Sequence, residues 1–123
     1  MYKIVEVITD FHFNEFRGLM LGEYHDDPAL YTKILREVGE ALPKYGDLID
    51  VIWKLGLHPE GGLEVKEVAL YSLSKRAKVK LSPIVQSVLI EYIYDEEEAE
   101  NYLRNEIEIQ QKEAKYDSLT ARH

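Results

Sequence analysis

Asp27-Pro28 at one end and Pro43 at the other bracket the stretch that leaves this chain the least freedom. Aspartate is a good helix N-cap. Proline fits the first helical position because the N–H it lacks has no partner there. Leu30, Tyr31, Ile34, Leu35, Val38, Ala41 and Leu42 then fall on one side of a helix. Pro43 ends it, since its ring and missing N–H cannot continue the ladder. An apolar stripe of this kind has to lie on something, and the remaining segments are read for what that is.

Tyr2–Ile8 is rich in β-branched residues and reads as a strand, without clean alternation and so covered on both faces. Thr9–Tyr24 reads as a loop followed by a short helix or a second strand, because Phe16, Leu19 and Met20 suit a helix while Phe11 and Phe13 suit an extended chain. Asp47 is placed to cap a helix carrying Leu48, Ile49, Val51, Ile52, Trp53 and Leu55, with Gly56 at its end. Residues 63–81 admit two readings. Val65, Val68, Ala69, Ser72 and Arg76 line one side of a helix, and this reading is preferred. The alternative is a hairpin of LEVKEVALYSL and KVKL around SKRA, which lacks the Gly or Asn of tight turns. Ser82-Pro83 repeats the cap-plus-proline signal ahead of Ile84, Val85, Val88, Leu89, Tyr92 and Ile93. Asp95 with Glu98 is a capping-box-like start for a last helix. The expectation is an α+β fold, predominantly α-helical: one or more N-terminal strands, then four to five helices. Residues 1–116 form one compact domain and 117–123 a frayed tail.

Hydrophobic residues make up 46% and charged residues 31%, a globular mix in which many Ile, Val, Glu, Lys and Tyr give a thermophile-like flavour. The absence of cysteine excludes disulfides and thiolate chemistry. MYKIVEVITDF is read as no signal peptide, and no stretch is long and apolar enough for a membrane helix, so an intracellular, cytoplasmic protein is expected. The net charge of −8 argues against nucleic-acid binding over the whole surface. The charge is segregated, however: DEEEAE at 95–100 holds five acids and no base. Residues 75–80 hold four bases, Lys75, Arg76, Lys78 and Lys80, and no acid.

With helices on either side, the stretch LSKRAKVKLSPIVQSVL (Leu73–Leu89) resembles the helix-turn-helix pattern of DNA-binding proteins. Ala77 stands at the close approach of the helices, Val79 in the turn, and Val85 and Val88 under the second helix. The turn is about one residue long for the pattern, and Lys78 stands where Gly or Asn is usual. The resemblance implies that Lys75, Arg76, Lys78 and Lys80 contact phosphates. It also implies that Gln86 and Ser87 reach base edges. A solvated basic corner between two packed helices is the plainer reading of the same residues.

Two constellations bear on metal chemistry. Glu37-x-x-Glu40 and Asp47-x-x-Asp50 resemble the ExxE…ExxD metal site of all-α NTP pyrophosphohydrolases, whose carboxylates hold magnesium, although the halves lie closer together here. Asp10, His12 and Asn14 resemble the DxHxH strand end of metal-dependent hydrolases, with His25 and Asp26 as further donors. Capping, turn and solvent-facing roles account for the same residues. No nucleophile motif, P-loop or dinucleotide fingerprint is present, and no cofactor is expected.

Ala99, Tyr102, Leu103 and Ile107 form a stripe on the last helix that suits either the chain's own core or a second copy. The leading expectation is a small non-enzymatic regulatory or interaction protein, in its most concrete form a dimeric DNA-binding transcription regulator using 75–87. An acidic protein-binding module acting through the C-terminal helix is the alternative. A metal-dependent hydrolase is the third.

Overall fold

The computed structural model describes residues 3–106. Their order is β1 (Lys3–His12), α1 (Phe13–Tyr24), α2 (Pro28–Gly39), β2 (Leu48–Leu57), β3 (Leu63–Ser72), β4 (Ala77–Lys80) and α3 (Pro83–Tyr92), with a further helical stretch, α4, over 96–106. The strands form one antiparallel sheet in the order β1-β2-β3-β4. The expected predominantly α-helical fold is therefore corrected: a four-stranded sheet is the centre, and two of the predicted helices are strands.

The first of these is 48–57. Ile49, Val51, Ile52, Trp53, Leu55 and Gly56 are all buried, because β2 lies between β1 and β3 with apolar residues on both sides. A run this rich in apolar residues, broken only at Asp50 and Lys54, satisfies a helical stripe and a central strand about equally well. The second is 63–81. Leu63 and Val65 face inward, as do Val68, Leu70 and Ser72, and between the two sets Lys66 is an extra residue: Lys54 pairs with Glu67 and Leu55 with Val65. This bulge shifts the inward parity by one residue and creates the Val65–Val68 interval that imitates a helix. The hairpin alternative is the one that forms. Its turn closes without Gly or Asn because Arg76 takes φ 52° and the Lys75 N–H donates to Ser72 Oγ at 3.2 Å. No helix precedes α3 here, so residues 73–89 do not form a helix-turn-helix.

The helices cover one face. Phe16 and Met20 of α1, Ile34 and Val38 of α2, Val85, Val88 and Leu89 of α3 and Ala99 of α4 pack on Val7, Ile49, Val51, Trp53, Leu55, Val68 and Leu70 of the sheet. Asp27 caps α2 as expected, accepting from the Leu30 N–H, with Pro28 at the first position. The helix tightens through Ala41 N–H to Val38 C=O and Leu42 N–H to Gly39 C=O before Pro43 ends it. Asp95 caps the last helix through the Glu97 and Glu98 N–H groups. Ser82 does not cap α3 with its side chain. Its N–H and hydroxyl donate instead to Glu37 of α2, at 2.7 and 2.9 Å. The strand read over Tyr2–Ile8 runs on to His12 and is an edge strand with one exposed face, not one covered on both. The tail predicted at 117–123 lies outside the described residues.

Candidate interaction surface

The face of the sheet opposite the helices is bare among the described residues. β1 turns Ile4, Glu6, Ile8, Asp10 and His12 toward it, and β2 contributes Leu48, Asp50, Ile52 and Lys54. Glu67, Ala69 and Tyr71 of β3 and Lys78 and Lys80 of β4 complete it. Cross-strand neighbours form three rows. Ile8, Ile52, Ala69 and Lys80 lie in register; beside them run Asp10, Asp50, Tyr71 and Lys78, and on the other side Glu6, Lys54 and Glu67. The β1 side is thus acidic and the β4 side basic, with isoleucines between.

Lys78 shows the shape of this face. It belongs to β4, yet its Nζ lies 3.2 Å from Oε1 of Glu6 on β1, the opposite edge. On a flat sheet the two strands stand about 14 Å apart and the two residues about 13 Å apart along the strand direction. Two side chains cannot span that diagonal, so the twisted sheet curls and its open face is concave. The Lys78 stem crosses the hollow, and Ile52 beneath is only 8% exposed although it points away from the helices. Ile8 remains 47% exposed. A cavity of about 370 Å³ lies between Ile8, Asp50, Ile52, Tyr71 and Lys78, and a smaller one of about 100 Å³ on the far side of Lys78 between Glu6, Lys54 and Glu67. Chemically, this is a shallow apolar hollow with cations on one rim and carboxylates on the other.

The residues predicted for nucleic-acid contact are dispersed. Lys75 is ion-paired with Glu40 and Lys78 with Glu6. Arg76 is in the hairpin turn and Lys80 on the open face. Gln86 is held by the fold: its Oε1 accepts from the Val68 N–H at 3.1 Å and its Nε2 donates to the Leu81 carbonyl at 3.0 Å. It satisfies backbone groups beside the bulge in β3 rather than projecting outward. The Ser87 hydroxyl donates to the Pro83 carbonyl one turn back. Of the stripe read as suiting either the core or a second copy, Ala99 is buried and Tyr102 and Leu103 pack against the core; Ile107 lies outside the described residues.

The carboxylates considered for metal do not converge. Glu37 binds Ser82 and Lys33. Burial pushes its carboxyl up, but the Ser82 N–H and hydroxyl and the Lys33 ammonium outweigh that and hold it below the ordinary value. Glu40 pairs with Lys75, whose hydrogen bond and charge lower its pKa. Asp50 is on the open face. Asp47 is a cap after all, although for a helix 33 residues earlier in the chain. Its Oδ2 accepts from the Asn14 N–H and its C=O from the Phe13 N–H, at the start of α1. Its Oδ1 lies 3.1 Å from Nδ1 of His12. That hydrogen bond raises the imidazole above its ordinary value of 6.5, and the bonds from Asn14 and His12 lower the carboxyl. Asp10 and His12 share a side of β1, but His25 follows the far end of α1 and is bonded to the Gly22 carbonyl. Among the described residues no three His, Asp or Glu side chains are grouped to hold a metal ion. No helix among them is long and apolar enough to cross a membrane.

The open face is not visible in the sequence reading because its β2, β3 and β4 residues fall in segments read there as helices or a turn, and its β1 residues in a strand read as covered on both faces. One signal could have found it: Glu6, Ile8 and Asp10 alternate with Val5, Val7, Thr9 and Phe11 once the strand is carried on to His12. No protein-family model matches this chain, and no curated protein or solved structure is significantly similar to it.

Proposed function

We propose that this is a small non-enzymatic interaction protein that docks a protein partner in the concave open face of its sheet. The observation that carries the reading is a row of apolar side chains, Ile8, Ile52 and Ala69, left without helical cover between an acidic rim and a basic one. Exposed apolar surface rimmed by charge is the usual mark of a protein-binding patch. A hollow suits a convex element, such as a helix that lays an apolar stripe over Ile8 and Tyr71. Such a helix would present cations to Asp10 and Asp50 and carboxylates to Lys78 and Lys80. The test is photo-crosslinking in the cells that make the protein, with the reactive residue at Ile8 and, for comparison, at the exposed Leu21 of α1. One defined protein adduct at Ile8 alone, lost in Leu48→Glu/Tyr71→Glu, supports the reading. Equal adducts at both positions, or none at Ile8, overturn it.

A second reading, nucleic-acid contact through the β3–β4 turn, has one observation in its favour. Tyr45 is 82% exposed with the Lys44 ammonium 5.5 Å from its ring centre. It shares a cleft with Leu73 and Ser74, next to Lys75 and Arg76. An exposed aromatic among cations is a stacking and phosphate surface. A salt titration of binding to labelled duplex and single strand, with Lys75→Glu/Arg76→Glu and Tyr45→Ala beside the wild type, decides it: no binding at low salt removes this reading.

A further inference from the structure

The two edges of the sheet differ. β4 is four residues long and carries Lys78 and Lys80, a short charged edge of the kind that resists pairing. β1 is ten residues long, has no Pro or Gly, and pairs with β2 without a bulge. No strand pairs with its outer side among the described residues. Alternate residues of such a strand turn their N–H and C=O groups outward, about five of each over this length. These groups form a template for one more strand.

A groove runs beside the C-terminal half of that edge. Phe11 of β1 and Phe16 of α1 meet edge to face, ring centres 5.3 Å apart, at its floor. Asp10, His12 and Glu15 stand around it, with Leu19 of α1 and Ile93 after α3 as apolar walls. The enclosed volume is about 300 Å³, the low end for a ligand cleft, and suited to one long side chain. The charges select which. Asp10 and Glu15 have no hydrogen-bond or ion-pair partner among the described residues, whereas the one base there, His12, is engaged by Asp47. Glu98 of α4 adds to the same field: burial raises its carboxyl, and Asp95 and Asp10 raise it further. Carboxylates over aromatic rings suit a Lys or Arg whose stem lies on the rings and whose head meets the rim.

We propose that β1 takes up an extended, basic peptide segment as a fifth strand, with a Lys or Arg side chain seated in the groove between Asp10 and Glu15. Backbone bonds to the edge supply the affinity, and the groove selects the side chain. A second copy of this chain is disfavoured as the occupant, because its own β1 would bring Glu6 and Asp10 against an acidic edge. This edge shares Asp10 with the rim of the hollow proposed for the protein partner, but the outward backbone groups of β1 and the Phe11–Phe16 groove lie outside that hollow.

The probe is a labelled peptide in which lysine alternates with valine, followed by fluorescence anisotropy at low salt and by amide exchange of β1. Two versions N-methylated on alternate residues block one backbone edge or the other, and a glutamate-for-lysine version reverses the charge. The wild type should bind the lysine peptide and one methylated version, slow the exchange of alternate β1 amides, and fail to bind the glutamate peptide. Asp10→Asn/Glu15→Gln, which changes exposed side chains only, should weaken binding about tenfold. Leu48→Glu/Tyr71→Glu, which disables the hollow, should leave it unchanged. Equal binding of both methylated versions overturns strand addition. So does an absence of binding, or self-association of the pure protein that strengthens in Asp10→Asn.

Discussion

Trp53 and Ile8 are both large apolar residues on paired strands of one sheet, and they meet opposite environments. Trp53 is 1% exposed beneath the helices. Its indole N–H donates to Thr9 Oγ1 at 2.8 Å, and its ring meets Tyr94 edge to face. Ile8 stands on the other face with nearly half its surface in water. The covered face holds the domain together, where apolar area leaves water; the Trp53 indole finds a partner there, while the Tyr94 hydroxyl has none among the described residues. The open face contributes little to folding and is free to serve another molecule. Even Ile52 lies there beside the Lys78 stem, a cover that a partner can displace, since both ends of the Lys78–Glu6 pair are about half exposed.

The sharpest way to break this contrast is to truncate one residue on each face. Trp53→Ala removes a fully packed ring and strands the Thr9 hydroxyl, and is expected to cost about 3–5 kcal/mol in urea denaturation. Ile8→Ala is expected to cost less than about 1 kcal/mol. A loss at Ile8 close to that at Trp53 would mean the open face is covered in the folded chain and the contrast is false.

The difference between the faces also explains what could be read without coordinates. Two caps are legible, Asp27 and Asp95, because a cap acts on N–H groups two or three residues away, whereas Ser82 is drawn to Glu37 and does not cap α3. Asp47 was recognised as a cap, but its helix is reached through the fold and not through the local chain. The first strand is legible from its β-branched residues, whereas β2 and β3 are not, for two separate reasons. In β2 the open-face side also carries Leu48, Ile52 and Gly56, so Asp50 and Lys54 alone mark period 2, and the bulge at Lys66 gives β3 a false helical interval. The HTH-like arrangement expected over 73–89 followed from that one error. Of the candidate interaction surface, its basic members Lys78 and Lys80 were singled out, but not the isoleucines that make it a hollow.

A smaller effect is expected at Glu37, which links α2 to the start of α3 on the covered side. Glu37→Ala leaves the Ser82 N–H and hydroxyl without their acceptor and should cost about 1–3 kcal/mol. The pH dependence has a definite sign. The folded carboxyl lies below its ordinary value of 4.5, so its contribution is complete above about that pH and is lost as pH falls through the folded value. Glu37→Gln cannot titrate, and its urea midpoint should therefore vary less than wild type on the acid side of pH 4.5. An unchanged acid limb would show that Glu37 is not among the groups whose protonation destabilises the fold.

The smallest expected effect lies where the two faces meet, at the junction of β1 and α1. His12 belongs to the open face, while Asp47 ties it to the cap of a helix on the covered one. Its folded imidazole is raised above 6.5 by the Asp47 hydrogen bond. The sign is opposite to that of Glu37: the pair's contribution is fully present below pH 6.5 and is lost as pH rises through the folded value. Because His12 is exposed, the effect is best read in its own titration and not in the stability of the domain. The ring-proton shift of His12, followed by NMR, should have a midpoint above 6.5 in the wild type and return toward the ordinary value in Asp47→Asn. The amide of Asn14 should move with the same midpoint, since its N–H is bonded to the carboxylate that holds the imidazole. If the His12 midpoint is at 6.5 in both proteins, Asp47 caps α1 without engaging the strand, and the two faces are not electrostatically joined at this corner.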